Sequence, residues 1–335
     1  MGYIILIGCF LFLSIILLAL ISALRFIFKK NTDFRNFLVN FSLSGVAVLL
    51  LILIFELVFS HLPISDGFGC TLASRLWMKK YWNPINSYRI RDFDHDIDSL
   101  DSKKVLMVVG DSFVAGHGIK NYSDRFPNLL GKSLGPRWEV IILAHNGWET
   151  AHEFGAIRSY PHKPDVIILS YFINDIGWIA GKMGFNPPHL LTRPSRFASA
   201  LIDKSYLLNF AYWRLYRLRT MGNDYLDYLA KAYSNRDIWK NHLLELQNIY
   251  KYTQRHDIKL IVVVWPQLEH IEETRVFTSQ VKNVFIKLGV PVVDLSSVLD
   301  GKNSGGLTVN SLDAHPNEAV HREVAGLLFK ELNRQ

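Results

Sequence analysis

Hydrophobic positions follow two regimes along this chain. In the first sixty or so residues they run almost unbroken, whereas from residue 104 they form short β-branched runs alternating with helical patterns. Tyr3 to Leu24 contains no charged residue, which is long enough to cross a bilayer core of roughly 30 Å as a helix. A second apolar run extends from about Leu38 to Phe59. Arg25, Lys29, Lys30 and Arg35 lie around the join. The positive-inside tendency puts that short connector in the cytoplasm, so the runs read as a transmembrane hairpin over 1–62 and everything after His61 emerges on the far side. A cleaved signal peptide ending near Ala19 to Ala23 fits less well, because no basic segment precedes the apolar run. Glu56, near the outer end of the second run, reads as a carboxylate reaching the headgroup layer rather than an intramembrane site.

Residues 63–103 read as a connector, and 104–335 as one α/β domain. Strands are expected over 104–109, 138–143, 165–172, 258–265 and 290–294. Helices are expected near 124–134, 150–159, 237–256, 272–288 and 317–333. Strands alternating with helices imply a parallel sheet covered on both faces. An insertion at about 176–235 interrupts this rhythm. It holds Pro187-Pro188 and an aromatic, basic stretch from Tyr206 to Arg217. Two readings of that stretch stand side by side: a helix that touches the membrane or clamps an acyl or sugar group, and a cap that packs on the core.

Composition narrows the function classes. The net charge is +7, but the 37 Lys and Arg are scattered, and no basic helix with stacking aromatics suggests nucleic acid. The charge fits a solvated surface with some attraction to anionic membrane or glycan. Cys9 and Cys70 make neither a disulfide framework nor a metal-ligand spacing. The acidic stretch Arg91–Asp98 alternates aspartates but lacks the glycine and terminal glutamate of a calcium loop.

The chemistry gathers at strand ends. Val105–Val109 runs directly into Gly110-Asp111-Ser112-Phe113, which puts a serine hydroxyl at the carboxyl edge of a buried strand. A serine needs a base, and His315 is the candidate, two residues after Asp313 and just before a helix expected to begin at Pro316. A carboxylate so placed would orient the imidazole and stabilise its charged form. Oxyanion donors are expected from the Ser112 N–H, the Gly147 N–H and the Asn174 side-chain amide, all at strand carboxyl ends. His321 reads as an ordinary packed or surface histidine.

As a set, these motifs resemble those of the SGNH/GDSL hydrolase superfamily. Gly110-Asp111-Ser112-Phe113 with Gly116 and Gly118 resembles its first block. Asn146-Gly147 resembles the second, Asn174-Asp175 the third, and Asp313 with His315-Pro316-Asn317 the last. The resemblance implies Ser112 as nucleophile, His315 as base with Asp313 behind it, and Ser112, Gly147 and Asn174 as the oxyanion hole. It also implies a three-layer α/β/α, flavodoxin-like parallel sheet, no metal or organic cofactor, and ester hydrolysis through an acyl-serine. Two departures stand out. Phe172 replaces the usual glycine of the third block, which should reshape the pocket more than the donor. Leu312 occupies the usual aspartate position of the last block, leaving Asp313 one residue closer to His315; either Asp313 still reaches the imidazole, or Ser112 and His315 work as a dyad oriented by a backbone carbonyl.

Together with the hairpin, this gives a membrane-anchored bacterial esterase whose domain lies in the periplasm or on the outer face. It would remove O-acyl groups, acetyl foremost, from an envelope or secreted glycan. The alternatives are a lipase or lysophospholipase, a glycan O-acyltransferase, and a non-catalytic glycan-binding or assembly protein. Alkaline phosphatase fused at about residue 65 should be active; an inactive fusion would reverse the topology.

Overall fold

The computed structural model describes residues 2–27, 32–187, 195–220 and 223–334. Lys29, Lys30 and Pro188 lie outside the described residues, as do the side chains of Cys9, Arg25, Tyr216 and Arg217. The chain divides into two compact units. The first is Met1–Ile64 with Gly69–Trp77 and Leu191–Arg219; the second is Ser65–Phe68, Met78–Leu190 and Thr220–Gln335. The middle of the insertion, Leu191–Arg219, thus belongs to the N-terminal unit, while its two ends stay in the α/β unit.

The α/β unit is organised by five parallel strands: β1 (Lys104–Gly110), β2 (Trp138–Ala144), β3 (Val166–Phe172), β4 (Lys259–Trp265) and β5 (Val292–Asp294). Their spatial order is β2-β1-β3-β4-β5. Every residue of β3, and every residue of β1 after Lys104, is buried. Such continuous apolar runs are what a parallel sheet with both faces covered requires. Burying one Val, Leu or Met side chain stabilises the fold by roughly 1.5–3 kcal/mol, so Val105–Val109, all at 0% exposure, form a large part of the driving force. Helices Phe126–Leu134 and Glu318–Leu332 pack together, and Thr150–Ser159 packs against Arg236–Arg255. The result is an α/β/α sandwich of flavodoxin-like order.

In this order the connections run outward in opposite directions from β1 and β3. The carboxyl ends of those two strands flank the crevice where open α/β sheets bind ligands. Gly110 pairs with Ser170 across this boundary. A Cβ on Gly110 would lie 2.5 Å from Val114 Cγ2 and 3.0 Å from the Ser170 carbonyl oxygen. The glycine therefore lets β1 end close against β3 and turn immediately into the short Ser112–Ala115 helix.

The stretch before β1 is more structured than a connector. It contains a helix over Leu72–Tyr81 and a 3₁₀ turn over Ile97–Ser102. Arg91 is 1% exposed and donates to the carbonyl oxygens of Tyr81 (2.8 Å), Gly116 (2.7 Å) and Ile119 (2.8 Å). Arg125, fully buried, donates to the Arg91 carbonyl at 2.6 Å. Burial and the neighbouring Arg125 charge lower the Arg91 pKa to about 9. Asp92 accepts from the Ile142 N–H at 3.0 Å, and Asp94 from the Ser87 hydroxyl at 2.6 Å. Arg91 therefore braces the loop that follows Ser112, Asp92 holds β2, and Asp94 ties down the turn at Ser87.

In the N-terminal unit, helices Gly2–Ile27 and Thr32–Ser60 pack through Leu17, Ile21, Val39 and Val46. Among the described residues, Thr32–Ser60 is long and apolar enough to cross a membrane, and the described apolar run of the first helix is the shorter Leu11–Ala23. Glu56 departs from the sequence expectation. It is 1% exposed and accepts hydrogen bonds from the start of the insertion helix Tyr206–Thr220 rather than reaching outward.

Gly110→Ala should lower stability by about 1–3 kcal/mol, because overpacking against backbone has no cheap relief. Thermal unfolding followed by near-UV circular dichroism would measure this, and an unchanged midpoint would show that β1 and β3 tolerate separation.

Candidate active site

Ser112 begins the short helix after β1, where its backbone N–H has no partner within its own helix. Asp111 caps that helix, accepting from the Phe113 N–H at 2.9 Å. Across the crevice, β7 (Asp313–Pro316) pairs antiparallel with β6 (Thr308–Asn310) and carries both Asp313 and His315. The folded chain closes a separation of 203 residues. His315 Nε2 lies 2.8 Å from Ser112 Oγ, and His315 Nδ1 lies 2.6 Å from Asp313 Oδ1. A carboxylate can only accept, so Nδ1 carries the proton and Nε2 is left to accept from the serine. The shorter spacing of the last block does not prevent contact. Asp313 also accepts from the His315 backbone N–H at 3.2 Å, a tight local turn that sets the carboxylate beside its own imidazole.

Asp313 is fully buried. Burial alone would raise its pKa, but the His315 charge, the His315 hydrogen bond and nearby His117 together hold it well below the usual carboxylate range. It therefore remains an anion across the working pH range and keeps the imidazole in one tautomer.

His117 is a residue that motif reading missed. It is 3% exposed, its ring lies 4.5 Å from that of His315, and its Nε2 lies 3.6 Å from Asp313 Oδ2. Nε2 donates to the Asp66 carbonyl at 2.9 Å, so Nδ1 accepts from the Asn146 side-chain amide at 2.9 Å. Burial, and then the His315 charge, lower its pKa to about 4. A neutral His117 thus ties the Asn146-Gly147 turn to the Asp313 loop. The available sequence signal was its position between Gly116 and Gly118, both at positive φ (70° and 84°). A Cβ on Gly118 would lie 2.4 Å from Val309 and 3.1 Å from Asp313 Oδ2, so this turn must run close to β6 and β7.

The expected oxyanion donors sit at the same sheet edge. Gly147 follows β2, exposed, with φ +75°. Asn174 lies half-buried in the 3₁₀ turn Ile173–Ile176 after β3. Its Oδ1 has no hydrogen-bond partner among the described residues. Phe172, in the usual glycine position, stacks on Phe113 with centroids 4.4 Å apart, and Phe113 in turn meets the His315 ring edge-on at 5.4 Å. The substitution therefore builds an aromatic floor beneath the imidazole. His321 is fully buried, and its Nδ1 accepts from the Phe126 N–H at 3.1 Å.

His117, Asp313 and His315 offer ligand atoms within 4.8 Å of one another. However, each ring nitrogen of both histidines already meets a protein group, so an ion there would have to displace these hydrogen bonds.

Behind Ser112 lies a second set of titratable groups. Asp111, Glu153 and Asp175 are all buried. Burial raises Asp111 to about 6. Glu153 is pushed well above the usual range by burial and then by Asp111 and Glu149, and Asp175 by burial and then by Glu153. Neither Glu153 carboxyl oxygen has a hydrogen-bond partner among the described residues.

A serine, a histidine and an aspartate joined by hydrogen bonds at the switch point of a parallel α/β sheet form an arrangement suited to serine-dependent acyl hydrolysis. The chain belongs to the GDSL-like Lipase/Acylhydrolase family, whose model matches residues 108–323, and it is an ester-bond hydrolase. It is similar to a phospholipase A1 from Streptomyces albidoflavus NA297, at 14% identity over 69% of this chain and 99% of the other, with a TM-score of 0.44. A lipolytic G-D-S-L family protein from Veillonella parvula DSM 2008 shares 14% identity over 69% and 100%, with a TM-score of 0.38. A carbohydrate acetylesterase family member from Sinorhizobium meliloti shares 14% over 68% and 97%, also at 0.38. These likenesses are too loose to indicate a substrate. No curated protein is significantly similar to the chain.

Glu153→Gln should reveal the buried acid. An unfolded glutamate titrates near pH 4.3, whereas the folded one keeps its proton to higher pH. Above that point the unfolded state releases a proton that the native state retains, so wild-type stability falls as pH rises. Glutamine does not titrate. Denaturant unfolding should therefore show the variant more stable than wild type at pH 8, with the gap closing near pH 4. A gap independent of pH would mean that Glu153 is ionised in the fold.

Proposed function

We propose that this protein is a membrane-tethered, extracytoplasmic serine esterase that removes small O-acyl groups, acetyl foremost, from an envelope or secreted glycan. The observation that carries the catalytic reading is the continuous hydrogen-bonded chain Ser112–His315–Asp313.

In this reading Ser112 Oγ attacks the ester carbonyl carbon while its proton passes to His315 Nε2. Asp313 stabilises the imidazolium that forms. The negative oxygen is held by the Ser112 N–H, the Gly147 N–H and the Asn174 amide, each worth on the order of 3 kcal/mol of barrier. Collapse breaks the C–O bond to the alcohol, and His315 returns the proton to the leaving oxygen. Water, deprotonated by the same histidine, then cleaves the acyl-serine. His117 acts as a positioning residue, since it contacts Asn146 and lies beside Asp313.

The tether supports the glycan reading. A domain held at the outer surface by Thr32–Ser60 works where envelope polymers are assembled. Its orientation, with the basic connector in the cytoplasm, follows from charge alone.

Ser112→Ala should lower release of p-nitrophenol from its acetate ester by at least ~10³-fold and abolish labelling by a fluorophosphonate probe. Full activity in that variant would remove Ser112 from the mechanism. Acetyl esters should be preferred over long-chain esters, and the opposite preference would replace the glycan by a lipid. Acyl transfer to an added sugar in place of hydrolysis would make the protein a transferase.

A further inference from the structure

Glu56 is a carboxyl group buried on a mostly apolar helix, and three groups about 150 residues away in the insertion donate to it. The Ser205 hydroxyl donates to it at 2.7 Å, the Tyr206 N–H at 2.7 Å and the Leu207 N–H at 3.1 Å. A helix N-terminus presents unpaired N–H groups and partial positive charge, which a carboxylate satisfies. Without such donors, burying this carboxyl group would be costly. Two further contacts fix the same junction. Asn209, 2% exposed, accepts from the Leu72 N–H at 2.8 Å, and Phe210 lies 4.8 Å from Phe59, ring to ring. The Tyr206–Thr220 helix is thus locked to the last turns of Thr32–Ser60.

The held helix and the short helix before it both expose apolar side chains. Phe197 is 80% exposed and Leu201 47%, four residues apart on Arg196–Ile202; Leu208 is 47% exposed and Leu215 62%, seven apart on Tyr206–Thr220. Spacings of four and seven put each pair on one helix face. Arg196 opens the first of these helices, and Lys204, next to Asp203, lies between the two, all three exposed. An apolar face bordered by cations is the pattern of a helix lying in the plane of an anionic bilayer's interface.

We propose that the helix pair Arg196–Ile202 and Tyr206–Thr220 is embedded in the headgroup–acyl boundary of an anionic bilayer, and that Glu56 holds it there. The proposal rests on the reading of Thr32–Ser60 as the tether. Continuity decides the occupant. The face is fastened to the end of a helix that itself exposes Leu51, Ile54 and Val58, so the same lipid that surrounds that helix meets the insertion. The unit is then attached to the membrane at two places along the chain.

The test uses the full-length protein with Cys9 and Cys70 changed to serine, in vesicles of phosphatidylethanolamine and phosphatidylglycerol. Single cysteines are placed at Phe197→Cys, Leu208→Cys, Leu51→Cys and Leu244→Cys and labelled with an environment-sensitive fluorophore. Quenching by brominated lipids reads immersion without reference to activity. Leu51→Cys should be quenched by deep bromines, Phe197→Cys and Leu208→Cys by shallow ones, and Leu244→Cys, on the Arg236–Arg255 helix of the other unit, by neither. Adding Glu56→Ala should at least halve quenching at 197 and leave 51 unchanged. If 51 is quenched but 197 and 208 match 244, the inference fails while the tether stands. If 51 is not quenched, the tether reading falls and takes this one with it. Cross-linking between copies through Phe197→Cys without quenching would put a second copy on the face and also overturn it. Undiminished quenching in Glu56→Ala would remove Glu56 as the lock.

Discussion

The close approach of β1 to β3 underlies everything at the candidate site. Because β1 ends in a glycine whose Cα lies against the Ser170 backbone, the chain turns within one residue and starts a helix at Ser112. β3 ends beside it and continues into the turn that carries Asn174. Both strands are buried on both faces, so neither can slide along the other without exposing apolar surface. Register fixed deep in the core is thereby delivered to the reactive edge.

Electrostatics around Ser112 shows how burial acts in opposite senses on acids and bases. It drives His117 towards its neutral form, which lets one ring nitrogen donate and the other accept. It also drives Glu153 and Asp175 towards their protonated forms, so the region behind the serine carries less negative charge than its composition suggests. Asp313 escapes the same penalty through its contact with His315. One short hydrogen bond thus separates an ionised carboxyl in front of the serine from protonated ones behind it.

The insertion shows a different economy. A long excursion from an α/β domain is tolerated when it finds its own partners. Here those partners are a carboxylate and a phenylalanine on the Thr32–Ser60 helix, met by a hydroxyl, two backbone N–H groups and Phe210. The Tyr206–Arg217 stretch belongs to the same compact unit as the Thr32–Ser60 helix.

Much of this was legible in the sequence because it depends on local period and local chemistry. The β-branched runs locate all five strands of the sheet to within two residues, since the buried centre of each strand in a parallel sheet is a nearly continuous apolar run. Gly110-Asp111-Ser112 and Asp313-x-His315 are equally local, and so was the expectation that they meet. Distance along the chain hid the rest. Nothing in the sequence around Glu56 names Ser205, and nothing near His117 names Asp66 or Asn146. Arg91 and Asp92, which look like surface charge in an acidic run, prove to be interior scaffolding. Period and motif determine which elements form and which groups react. Which buried polar group satisfies which other is decided by tertiary packing, because a donor and its acceptor need share only a place in space.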